Sequence, residues 1–206
     1  MLGRNHILFN LFTFFPFMFY LYLTDYPLVY IYISFLCVIA FANFPDIDIK
    51  YRRSSILNKI IYLIFYLPFI LLALFMKNKK MIKHRGITHS VYGLALFSFI
   101  VCLFYLILFF YFPRYINILI LFSIIFSYAL HLLCDLVTYE GITLFNKKFK
   151  GILVTGRNDS FYTYIYSFLQ LILTFILYKI NFYFIPIFSL LVLFFFILFP
   201  LIIRNK

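Results

Sequence analysis

The chain has 206 residues, 66% of them hydrophobic and only 12% charged, with a mean hydropathy of +1.05; this excludes a soluble domain and reads as a polytopic membrane protein. The net charge of +12 raises nucleic acid as a partner. The basic residues flank apolar runs, however, where membrane orientation and anionic head groups account for them, so no nucleic-acid partner is expected. The 32 Phe and 19 Tyr, with no Trp, belong to a bias shared by the whole chain, so aromatic stripes read as lipid-facing or space-filling. Cys37, Cys102 and Cys134 all lie within apolar runs and read as small buried residues.

In chain order, Arg4 precedes an apolar run over 7–23 that lacks a small-residue cleavage pattern and is expected to be the first transmembrane helix. The second is expected over 28–44. Asp46, Asp48, Lys50, Arg52 and Arg53 then mark a loop, followed by an apolar stretch over 56–76 with Lys59 near its start and Pro68 in its middle. Spans are expected over 91–112, 116–138, 161–178 and 182–203, with a glycine-bearing polar segment over 139–160. Fold class is therefore all-α, a polytopic helical bundle forming a single membrane-embedded domain over 1–206. The chemistry-bearing clusters fall within 1–160, and 161–206 is a C-terminal helical pair.

Whether 56–76 crosses the bilayer decides which polar clusters can meet. If it crosses, the basic residues divide almost evenly between the two faces. If it re-enters or lies in the interface, bent at Pro68, only Arg114 and Lys179 of the eighteen lie on the far side. The positive-inside bias selects the second arrangement. The expectation is about six spans, one re-entrant or interfacial segment, and both termini cytoplasmic in a multi-pass cell-membrane protein.

Under that topology all four histidines and three of the six acids come to one face: His6, Asp46, Asp48, His84, His89, His131 and Asp135. Ionisable groups in or beside spans are costly and usually functional. His131 and Asp135 are four apart and share a helix face. His84 and His89 flank Gly86 within His84-Arg85-Gly86-Ile87-Thr88-His89-Ser90, where Thr88 or Ser90 can cap the following helix. Taken singly, the His131–Asp135 pair reads equally as a buried interhelical hydrogen bond, Asp46 and Asp48 as a solvated turn, and His6 as an interfacial anchor. Together, seven nitrogen and oxygen donors without thiolates suit one or two divalent metals, zinc ahead of manganese or iron.

These residues also resemble a family, the membrane-bound metal-dependent hydrolases described as LexA-regulated and inner-membrane-associated. The resemblance rests on His6, Pro45-Asp46-Ile47-Asp48, the heptapeptide 84–90, and His131 to Asp135 continuing through Thr138 to Gly141, in the family's order. The chain departs from it at Ile49, where the family has histidine, and at Tyr139, where it has proline. A family glutamate is replaced near Asp159 or Ser160. A more distant likeness is to zinc phospholipases C and P1-type nucleases.

The resemblance implies a hydrolase. His6, Asp46, His84, His89, His131 and Asp135 would hold metal, Asp48 would bridge or accept a proton, and Arg85 would oppose charge developing on the substrate. With no soluble domain, the expected substrate is a phospholipid or other amphiphilic ester at the membrane surface, attracted by Lys147, Lys148 and Lys150. Two other classes remain open: a metal-ion or proton transporter using the His/Asp cluster, and an inactive scaffold, for which Ile49 and the missing glutamate speak.

Overall fold

The computed structural model describes residues 3–53, 56–77, 86–113, 116–138, 141–144, 147–149 and 159–202. Eight α-helices account for nearly all of them: α1 (Gly3–Leu23), α2 (Leu28–Phe41), α3 (Ile47–Arg53), α4 (Ile56–Phe75), α5 (Val91–Tyr111), α6 (Ile118–Leu136), α7 (Asp159–Ile180) and α8 (Ile185–Ile202). Two three-residue strands, β1 (Ile142–Leu144) and β2 (Lys147–Phe149), pair antiparallel as a small ribbon within the polar segment, with Thr143 opposite Lys148. The protein is an all-α polytopic bundle to which this ribbon is a minor addition.

Periodicity explains which faces meet. In α1 the polar residues Asn5, His6, Asn10 and Thr13 are buried and recur at three- and four-residue intervals, so they form one inward stripe. Because lipid offers apolar groups no reason to leave it, small and polar residues bring membrane helices together. Asn10 donates from Nδ2 to the Ser127 carbonyl at 2.8 Å and to its Oγ at 2.9 Å. Ser127 Oγ in turn donates to the Val38 carbonyl at 2.8 Å, locking α1, α2 and α6 into one layer. On the other flank of α1, the Thr13 hydroxyl lies 2.7 Å from the Tyr166 hydroxyl. Gln170 Nε2 donates to Tyr166 Oη at 2.9 Å and to the Ser189 carbonyl at 3.1 Å, while Ser189 Oγ donates to Gln170 Oε1 at 2.8 Å. This network joins α1, α7 and α8.

The cross-links also fix direction. At one end of the bundle, Asn5 at the start of α1 donates to Ser160 at the start of α7, and the Tyr162 hydroxyl donates to the Phe196 carbonyl late in α8. At the other end, the Tyr26 hydroxyl after α1 donates to the Asn117 side chain that caps α6, at 2.8 Å. Helices α1, α2, α5, α6, α7 and α8 therefore alternate in direction, and the start of α1 and the end of α8 lie at the same end.

Among the described residues, five helical stretches are long and apolar enough to cross a bilayer: Gly3–Leu23, Asn58–Phe75, Val91–Tyr111, Ile118–Leu136 and Asp159–Ile180. Leu28–Phe41 and Phe182–Ile197 are shorter apolar helices. The second expected span, over 28–44, ends as helix at Phe41. Pro45 disfavours helix in the residue before it, and the chain turns there, carrying Asp46 inward. Helix α4 has the length of a span, yet Asp46 upstream of it and His89 downstream lie 3.2 Å apart, so the chain comes back to its starting point. Tyr66, Phe69 and Ala73 turn one face of α4 into the main core with Ile87, while Ile64, Phe65, Leu67 and Leu71 are exposed. This is the arrangement expected of a re-entrant or interfacial segment.

Candidate metal centre

Four elements deliver side chains to one point at the end of the bundle where α1 begins. His6 lies in the first turn of α1, Asp46 in the turn between α2 and α3, His89 in the 3-10 turn Ile87–His89 before α5, and His131 with Asp135 in the last turns of α6. His6, His89, His131 and Asp135 are buried, while Asp46 is 21% exposed at its side chain and forms the open edge of the cluster.

Local sequence holds each donor. Ser90 caps α5, accepting from Gly93 N at 3.1 Å and donating to the Ile87 carbonyl at 2.6 Å. Gly93 is required here, because a Cβ at that position would lie 2.1 Å from the Ile87 carbonyl oxygen. The Tyr128 hydroxyl, one turn before His131, donates to the Thr88 carbonyl at 2.5 Å, and Thr88 Oγ1 lies 3.1 Å from His89 Nδ1. At the end of α6, Thr138 donates from both N and Oγ1 to the Asp135 carbonyl, at 3.0 and 2.7 Å, and Gly141 N donates to Thr138 Oγ1. Gly141 itself takes a positive φ of 65°, which glycine adopts without strain.

His131 is the most informative member. Its Nδ1 lies 2.7 Å from the Ala42 carbonyl, which can only accept, so Nδ1 carries the hydrogen. Its buried Nε2 faces Asp135 Oδ2 at 3.5 Å and Asp46 Oδ1 at 4.0 Å. His89 Nε2 lies 3.2 Å from Asp46 Oδ1 and 3.4 Å from Asp135 Oδ2, and His6 Nε2 lies 3.5 Å from Asp135 Oδ1. The His6 and His131 rings stack at 3.8 Å, and those of His89 and His131 meet edge-on at 5.3 Å.

These separations also suit ligands that share one ion. Donors held 2.0–2.1 Å from a tetrahedral ion lie about 3.3–3.4 Å from one another. Two overlapping donor groups, His6–Asp46–His131 and His89–His131–Asp135, each keep their ligand atoms within 4.8 Å. Two carboxylates with neutral imidazoles carry two negative charges, which a divalent cation cancels, and a buried charge of that size is otherwise expensive. Ala42 and Thr88 occupy the supporting positions that orient ligating imidazoles. Burial pushes the Asp46 carboxyl up, but the hydrogen bond with His89 and the neighbouring His131 and His6 imidazoles outweigh it and hold the group well below the usual carboxylate range.

The structure thus brings together five of the residues singled out from sequence. Asp48 is fully buried on the first turn of α3 and belongs to neither donor group. His84, Arg85 and Lys150 lie outside the described residues, while Lys147 and Lys148 are on β2. Asp159 and Ser160 start α7 beside α1, where Ser160 Oγ accepts from Asn5 at 3.1 Å and from Arg4 at 3.5 Å. Sequence reasoning missed Tyr128 and the Ala42 carbonyl. For Tyr128 a signal exists, since it precedes His131 by three and shares its helix face.

Residues 1–205 match the model of the YdjM inner membrane protein family, and the chain belongs to that family. No curated protein and no solved structure matches it.

Proposed function

We propose that this YdjM-family membrane protein is a metal-dependent hydrolase that cleaves a phosphoester or other ester of an amphiphilic substrate at the cytoplasmic membrane surface. The observation that carries the reading is the buried His131 Nε2, fixed by the Ala42 carbonyl so that it faces two carboxylates at 3.5 and 4.0 Å. His6, Asp46, His89, His131 and Asp135 fit one divalent ion, with zinc ahead of manganese and iron for this mixture of nitrogen and oxygen donors. Held there, such an ion supplies Lewis acidity and a water acidic enough to react near neutral pH.

The chain's own residues do the rest. Asp46, at the open edge, borders the side from which substrate arrives. Asp48, buried two positions further on and outside both donor groups, is the candidate proton acceptor. Arg85, directly before Gly86, would oppose negative charge on the substrate, and the basic residues 147, 148 and 150 would favour anionic lipid. A cytoplasmic site follows from the same charge bias. The position of the donors at helix ends favours surface chemistry over the mid-bilayer site of a transporter.

Elemental analysis of detergent-purified protein tests the centre, and hydrolysis of phosphodiester and phospholipid substrates tests the reaction. Wild type is expected to carry about one equivalent of metal and to hydrolyse at least one substrate class, with Asp48→Ala retaining the metal and losing turnover. A metal-loaded protein that moves ions across vesicles and hydrolyses nothing would put transport in its place. Equal turnover by Asp48→Ala would remove that residue's role.

A further inference from the structure

Deeper in the bundle than the candidate metal centre, between α4, the end of α2 and the middle turns of α5 and α6, lies a cavity of about 420 Å³. Its walls include Phe44, Phe65, Pro68, Phe97, Val101 and Ile124, and every residue lining it is apolar. We infer that this cavity holds one hydrocarbon chain of a membrane amphiphile whose polar head lies at the open, Asp46 edge of the metal centre.

Three observations support that occupant. The first is continuity: Phe44 lines the cavity, and Asp46, two residues on in the same turn, is the partly exposed member of the donor cluster. The Phe44 and Phe97 rings meet at 4.7 Å, and Phe97 stacks at 4.6 Å on Tyr128, whose hydroxyl holds Thr88 beside His89. These contacts link the apolar space to the turn that bears His89. The second is depth. Ile124 precedes His131 by seven positions on α6, which at 1.5 Å per residue sets it about 10 Å deeper in the bundle than the donors. A head at the donors and a chain along α5 and α6 match the disposition of an amphiphile in a leaflet. The third is size and access. An apolar cavity of about 150 Å³ already takes a benzene, and this one is nearly three times as large. Ile64, Phe65 and Phe104, which line it, are themselves exposed, so a chain can enter from the side. Pro68 sits in α4 where that helix borders the space, and proline frees a backbone carbonyl that permits a bend around an occupant.

The inference rests on the proposed hydrolase reading for the placement of the head, and it makes the chain a determinant of substrate choice. The test uses full-length protein in vesicles of phosphatidylethanolamine and phosphatidylglycerol containing a phosphatidylglycerol with a diazirine on one acyl chain, cross-linked by light and mapped by mass spectrometry. Metal content is measured on the same samples. Labelling is expected to concentrate on Phe97, Val101 and Ile124, and to fall at least fivefold in Val101→Phe and, separately, in Ile124→Phe, both of which fill the space from different helices. Metal content should be unchanged in both variants. A diazirine alkane without a head should label the same residues less than the lipid does, and should be indifferent to Asp46→Asn, whereas lipid labelling should weaken.

Uniform labelling around the lipid-facing helices, or undiminished labelling in both filled variants, would overturn the chain site while leaving the metal centre intact. Concentrated labelling in a protein that binds no metal would keep the chain site and overturn the placement of the head.

Discussion

Two buried polar regions lie along α1, and they are built differently. In the network joining Thr13, Tyr166, Gln170 and Ser189, donors meet acceptors at 2.7–3.1 Å, and each contact reads as a hydrogen bond. In the cluster at the start of the same helix, imidazole nitrogens and carboxylate oxygens face one another at 3.2–4.0 Å. The first region is complete as it stands and serves to hold helices together. The second places its atoms around a common space, where a cation would give the donors a shared partner. Spacing, more than burial or polarity, sets this candidate site apart from structural glue.

Breaking the cluster should have the largest effect. Asp135→Asn keeps the shape but removes the charge that three histidines share, and metal content should fall from about one equivalent to background by elemental analysis. Acid should act almost as strongly. Because Asp46 is held below the usual carboxylate range, it stays ionised while protons compete with metal for the imidazole nitrogens, whose neutral form is the ligand. Bound metal should therefore be lost on acidification and regained on return to neutral pH, as followed by equilibrium dialysis against a metal indicator.

Changes behind the cluster should be smaller. Thr88→Val removes the hydroxyl at His89 Nδ1 and should weaken metal affinity about tenfold in the same dialysis assay, without loss of fold. Gly93→Ala should do more than a helix-interior substitution normally does, since its methyl group displaces the Ile87 carbonyl and the turn bearing His89 with it. The matching change in the complete network, Gln170→Leu, should cost about 1 kcal/mol of stability in a denaturant titration. Metal content there should not move, and its loss would show that the two regions are not independent.

Much of this was legible in the sequence, for identifiable reasons. His131 and Asp135 declare their shared face by a spacing of four, and their side chains meet at 3.5 Å. The meeting of Asp46 and His89 was readable because charge bias sums over every loop at once, even though α4 between them has the length of a span. Ser90 as the cap of α5 follows from its place before an apolar run. The Ala42 carbonyl was not legible, since a backbone acceptor exists at every position and only tertiary approach selects one. Tyr128, Phe44 and Phe97 were hidden by the chain's aromatic bias, which makes a functional ring look like the many that merely fill space. The shorter α2 reflects a local conflict in which the apolar run continues but Pro45 turns the backbone.

The position of His6 has a consequence for how the protein is made. It lies in the first turn of α1, and its carboxylate partner Asp135 follows 129 positions later. Asn10 waits for Ser127, and Thr13 for Tyr166, which arrives later still. During synthesis the polar stripe of α1 therefore enters the bilayer ahead of its partners, and the proposed centre is incomplete until α6 has been inserted beside it. Metal loading would then be a late event in biogenesis, and a nascent chain arrested before α6 should hold no metal while one released after it should.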